Sequence, residues 1–166
     1  MNTKSKKFFL IILAVLATVF ITIIGTRRLD TRKTFSLNGL KFSYPSNWKE
    51  PEYINKSEWK GGEVKSEDGT QRIVVLAEIN QGYTAAELSD FLNSIAAVSG
   101  KKINIDGSEA VKMNGMAYQG SKNIAVFLNA KDKKSQYSIS YEVPESVSDN
   151  LIDKLFNQII FSVKLR

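Results

Sequence analysis

The chain has 166 residues, a formal charge of +6, and neither cysteine nor histidine. Those absences exclude thiol nucleophiles, disulfides and histidine-dependent triads, and they leave zinc, copper and haem without their usual ligands. Residues 1–33 hold seven of the 23 Lys/Arg and one of the 17 Asp/Glu, so the other 133 residues carry 16 of each; a neutral domain lacks the concentrated positive charge that nucleic-acid binding draws on.

The first element is an apolar run. Phe8 to Thr26 is 19 residues without charge or proline, about 28 Å as a helix and long enough to cross a bilayer. A cleaved signal has a shorter apolar region followed by small residues, whereas this run ends in Ile23-Ile24-Gly25-Thr26-Arg27-Arg28. Residues 1–33 therefore read as an uncleaved signal-anchor, with a transmembrane span at about 8–26 and basic flanks. Lys4, Lys6 and Lys7 before the span nearly balance Arg27, Arg28, Arg32 and Lys33 after it. Long domains translocate largely regardless of flanking charge. The expected arrangement is single-pass in the cell membrane, the N-terminus cytoplasmic and residues 34–166 extracytoplasmic as one domain.

Short strands follow. Asn38-Gly39 separates Thr34–Leu37 from Leu40–Tyr44, Asp68-Gly69 separates Glu63–Glu67 from Gln71–Ile79, and Asn114-Gly115 separates Glu109–Met113 from Met116–Gly120. Such dipeptides between alternating apolar residues predict hairpins and an antiparallel sheet. Ile73–Ala77 and Ile124–Leu128 are apolar on both faces and predict strands covered on both sides. Tyr137, Ile139, Tyr141 and Val143 alternate with polar residues and predict one wet face. Two helices supply the cover. Thr84-Ala85-Ala86-Glu87 is a capping box leading into Leu88, Phe91, Leu92, Ile95 and Val98, with Gly100 as the stop. The second begins near Ser146 or Ser148 and carries Leu151, Ile152, Leu155, Phe156, Ile159 and Ile160.

The order of these elements, with Gly39-Leu40-Lys41-Phe42-Ser43-Tyr44-Pro45-Ser46-Asn47-Trp48, resembles the PsbP family. The resemblance runs from Phe35 to about Val163 and includes the turn Asp106–Ala110, the strand through Tyr137 and Tyr141, and the ending Phe161-Ser162-Val163-Lys164. It implies an α+β fold in which an antiparallel β-sheet is sandwiched between helices, and a role in binding or assembly rather than catalysis. Metal handling belongs to the plant members of that family. This chain has no histidine for manganese and no regularly spaced oxygen ligands for a Ca²⁺ loop, so no cofactor is assigned.

Among individual residues, Trp48 reads as core, Glu67-Asp68-Gly69-Thr70 as turn chemistry rather than a Ca²⁺ site, and Lys131–Lys134 as a solvated hairpin end. Lys49–Gly62 is the least regular stretch, and its Tyr53 and Trp59 are the candidate partner-binding residues; the same stretch also fits one more strand with its rings turned inward. The functional expectation is a non-catalytic, membrane-tethered extracytoplasmic binding or assembly module, held in the lipid bilayer by its N-terminal helix, whose partner is another envelope or membrane protein and not nucleic acid. The alternatives are a photosystem-associated protein of PsbP type, or a carboxylate-based, glycosidase-like hydrolase with a Glu pair near Glu50, Glu52 or Glu58.

Overall fold

A computed structural model describes residues 32–56, 59–79, 84, 86, 87, 90, 99–114, 120–131 and 135–166. The span expected at residues 8–26 and the helical face from Leu88 to Val98 lie outside the described residues, apart from Asp90. Among the described residues no helix is long and apolar enough to cross a membrane.

Ten strands are described: β1 Arg32–Leu37, β2 Leu40–Pro45, β3 Glu52–Asn55, β4 Trp59–Lys65, β5 Arg72–Ile79, β6 Ser99–Ile105, β7 Ser108–Asn114, β8 Ser121–Asn129, β9 Ser135–Pro144 and β10 Lys164–Leu165. They form a three-stranded sheet in the order β1-β2-β10 and a seven-stranded sheet in the order β3-β4-β5-β9-β8-β7-β6. The β2–β10 pair and all six neighbouring pairs of the large sheet are antiparallel. The large sheet joins two meanders, β3-β4-β5 and β6-β7-β8-β9, along the β5–β9 seam.

Local chemistry sets the tight turns. Asn38 and Gly39 have φ of 47° and 90°, and Asp106 and Gly107 have 50° and 85°, the left-handed pair that a two-residue hairpin requires. The Thr84 capping box is present: the Glu87 N–H donates to Thr84 Oγ1 at 3.2 Å, and the Glu87 carboxylate accepts from the Thr84 N–H at 2.8 Å. The helix Asp149–Ile160 starts from Ser148, whose side chain makes no capping bond.

Register then gathers the core on one face of the large sheet. Ile73, Val75 and Ala77 of β5 lie opposite Tyr141, Ile139 and Tyr137 of β9, which lie opposite Ile124, Val126 and Leu128 of β8. The small sheet covers this face with Phe35, Leu37, Leu40, Phe42 and Tyr44, and the C-terminal helix adds Ile152, Phe156, Ile159 and Ile160; all belong to one buried cluster. Lys33–Arg166 forms a single unit. The fold is thus α+β and mostly antiparallel sheet. Among the described residues the covering layer is one helix plus the small sheet, rather than helices alone.

Three expectations are corrected. Asn114-Gly115 is not a tight hairpin, because Met113 pairs with Ala125 and Asn114 with Ile124; the buried alternation of β8 fixes the register further along the chain. Gly100 lies within β6 rather than ending a helix. Ser138, Ser140 and Glu142 are half-buried rather than wet, since register seats Ser138 between Leu76 and Phe127. Of the two readings open for Lys49–Gly62, the strand is the one found, since the stretch supplies β3 and the start of β4, although the Tyr53 ring is 55 % exposed rather than turned fully inward.

Candidate functional site

The site follows from the position of β3. Among the described residues it pairs with β4 on one side only and forms one end of the large sheet, with all four of its residues exposed. An unpaired edge offers a row of backbone donors and acceptors to another strand. Tyr53 is 55 % exposed and Ile54 46 %. Tyr53 lies opposite Gly62 and Ile54 opposite Gly61.

Gly62 explains how Tyr53 is held. Tyr53 stacks on Phe35 with ring centroids 5.5 Å apart, and Phe35 stacks on Phe42 at 4.9 Å. The Phe35 and Tyr53 rings occupy the space above Gly62, where a Cβ would come within 2.8 Å of Phe35 Cζ. The ring is therefore braced by the core on one side and open to solvent on the other. Aromatic residues held rigidly at a surface are the type enriched where interfaces draw their binding energy.

On the opposite face an ionic strip ties the edge inward. Lys65 reaches Glu63 at 2.7 Å and Glu52 at 3.5 Å, and Arg72 meets Glu142 at 2.6 Å. Hydrogen bonding to Glu63 raises the Lys65 pKa. Just before β3, Lys33 pairs with Glu50 at 2.6 Å and donates to the Trp48 carbonyl at 3.0 Å, and the Glu50 contact raises the Lys33 pKa. Glu50 and Glu52 are thus lysine-paired surface groups, 78 % and 66 % exposed; Glu58 lies outside the described residues. Trp59 opens β4 opposite Glu78, and its side chain is likewise outside them.

Clefts lined by described residues lie elsewhere. One of about 290 Å³ runs between β8 and the C-terminal helix, lined by Asn114, Lys122, Asn123, Ile124, Asp149 and Asp153, with Lys122 bound to Asp149 at 3.0 Å. The other, about 420 Å³ and shallow, is lined by Asn47, Trp48, Ser66, Glu67, Asp68 and Gln71. In it the Asp68 carboxylate accepts from Ser66 Oγ at 2.6 Å and the Thr70 N–H at 3.0 Å. Those bonds hold its pKa below the usual carboxylate value and make Asp68 a turn-former. Neither Glu50 nor Glu52 lines either cleft. Among the described residues no three His, Cys, Asp or Glu side chains converge as a metal site requires.

Trp48 is 8 % exposed, with its ring 6.4 Å from that of Tyr141. Tyr141 donates to Gln71 Oε1, and burial pushes its phenol up to about 12. The Tyr-Pro-x-x-Trp segment is therefore structural. Ile54, which shares the edge with Tyr53, was missed from sequence; the paired Gly61-Gly62 opposite it was the available signal.

A seven-stranded antiparallel sheet capped on one face by a small sheet and a C-terminal helix defines the architecture, and it is PsbP-like. The solution structure of cyanobacterial PsbP (CyanoP) from Synechocystis sp. PCC 6803 matches with a TM-score of 0.55 at 12 % identity, over 82 % of this chain and 93 % of that one. A crystal structure from Bacteroides thetaiotaomicron VPI-5482 matches with a TM-score of 0.52 at 17 % identity, over 81 % of this chain. The match spans about half of the Bacteroides chain (48 %). At such identities the likeness is one of fold. No protein-family model and no curated protein matches the sequence.

Proposed function

We propose that the chain is a non-catalytic, membrane-tethered extracytoplasmic module that holds another envelope or membrane protein along the free edge of β3, with Tyr53 and Ile54 as its contacts and Trp59 of β4 beside them. The observation that carries this reading is the contrast between the two ends of the large sheet. At the β6 end, Lys101 and Lys102 are exposed, the usual device by which an edge is kept from pairing. The β3 end carries exposed Tyr53 and Ile54 instead, an arrangement suited to a partner that adds an extended strand.

The test uses the full-length chain in membranes. Ile54→Lys places on β3 the device already present on β6, and it should abolish co-purification of the partner, whereas Lys102→Glu should leave it intact. Retention of the same partner by Ile54→Lys would sink the proposal. For topology, a single cysteine at Thr70 should react with a membrane-impermeant maleimide in intact cells and one at Thr3 should not; the reverse pattern would place the domain in the cytoplasm.

A further inference from the structure

A ladder of alternating charge crosses one face of the large sheet and stops at its edge. Glu142 of β9 meets Arg72 of β5 at 2.6 Å, Arg72 approaches Glu63 of β4 at 4.0 Å, Glu63 meets Lys65 at 2.7 Å, and Lys65 reaches Glu52 of β3 at 3.5 Å. Register puts all five on the same face, since Arg72 lies opposite both Glu142 and Lys65, and Glu63 lies opposite Glu52. Three carboxylates in this ladder share two cations, and the surplus negative charge falls at the edge. Glu142 and Glu63 lie on strands flanked on both sides and are 24 % and 20 % exposed, whereas Glu52 is 66 % exposed and has the long contact. Ile54 follows two residues on, so it shares that face with Glu52 and is 46 % exposed.

Charges facing one another across neighbouring strands attract or repel according to sign, so the rung that continues this ladder beyond Glu52 is a cation. Each neighbouring pair in the large sheet is antiparallel, which is also the slightly more stable pairing. In an antiparallel strand laid along β3, the residue opposite Glu52 comes two positions after the residue opposite Ile54.

Resting on the strand-binding reading above, we propose that the segment held by β3 is a cationic extended strand, with an apolar side chain opposite Ile54 and a lysine or arginine two residues later, opposite Glu52. Backbone bonds along the edge supply affinity for any extended segment, and the alternate side chains on this face select among them. The chain's own Ile54-Asn55-Lys56 has the same order. Lys56 already has an interaction within its own chain, so the occupant is a different protein rather than a second copy.

Two fluorophore-labelled peptides, identical except for a central valine-threonine-lysine or valine-threonine-glutamate, would be titrated with the full-length chain in neutral detergent and followed by anisotropy. The lysine peptide should bind more tightly, by roughly tenfold at low ionic strength, and the margin should shrink as salt is added. Glu52→Gln should remove the preference and Glu52→Lys should reverse it, an exchange that altered folding would not produce. A lysine peptide with proline in place of the valine and the threonine lacks the edge-facing donor in either strand phase and should not bind. Equal binding of the lysine and glutamate peptides, lost in the proline peptide, overturns the cationic assignment and leaves strand addition standing. Binding of none of them, or binding that the proline peptide retains, overturns both. Sedimentation of the full-length chain should show a single copy; a dimer dispersed by Glu52→Lys would make a second copy the occupant and overturn the assignment to a different protein.

Discussion

Replacing Gly62 by alanine probes the brace beneath the proposed binding edge. The added Cβ would lie 2.8 Å from Phe35 Cζ, 2.9 Å from Phe35 Cε2 and 3.1 Å from Tyr53 Cδ1. Tyr53 can swing outward, but Phe35 is fully buried and stacked on Phe42, so the clash falls on a ring with nowhere to go. Overpacking of this kind costs roughly 1–3 kcal/mol. Alanine also loses less chain entropy than glycine on folding, which offsets about 0.4–1 kcal/mol. The net destabilisation is therefore about 1–2 kcal/mol, readable as a lower urea midpoint with unchanged slope. In a Phe35→Leu background the ring is gone, and the same substitution should cost measurably less, a coupling that a double-mutant cycle isolates. A Gly62→Ala variant as stable as the parent, or one equally destabilised in both backgrounds, would refute the claim that the rings occupy the space above Gly62.

Trp48→Ala empties a core position beside Tyr141 and should cost on the order of 3–5 kcal/mol in denaturant melts; a cost under about 1 kcal/mol would return Trp48 to the surface. Asp106 accepts the Leu165 N–H and pairs with Lys131 and Lys164, which lower its pKa to about 2 from 3.8. A depressed carboxylate pKa stabilises the fold above its unfolded value, and the effect is lost as pH falls through the folded one. The melting-temperature gap between the parent and Asp106→Asn should accordingly be constant above about pH 5 and narrow between pH 4 and 2; a gap independent of pH would refute the assignment. Addition of a chelator should leave the melting temperature unchanged, and a large drop would revive a structural cation.

Turns and caps were the legible part of the sequence because their chemistry is local. Asn38-Gly39 is the left-handed pair that its residues demand, Asp68 binds the backbone two residues on, and Thr84 with Glu87 closes its capping box. The stripe of the last helix was also readable: Ile152, Phe156, Ile159 and Ile160 are buried, while Leu151 at its margin is not. What failed depends on distant partners. Asn114-Gly115 carries the same local signal as Asn38-Gly39, yet the register of β7 is decided by Ile124, Val126 and Leu128 of β8 packing into the core. β3 stayed one of two readings because an edge strand need not alternate apolar and polar residues. The glycines opposite it imitate a loop, although Gly62 is there to admit the rings of Phe35 and Tyr53. Tyr53 could be named from sequence as a candidate contact, but its bracing by Phe35 emerges only when β1 and β3 are brought together.

The most direct test of the account is site-specific photo-crosslinking of the full-length protein in native membranes, with the reactive side chain placed at Ile54 on β3 and, separately, at Lys102 on β6. A single discrete adduct with a membrane or envelope protein from Ile54, absent from Lys102 and lost when Tyr53→Lys is added, is the result predicted. Equal labelling from the two edges, or an adduct from Lys102 alone, would contradict the assignment of β3 as the binding edge.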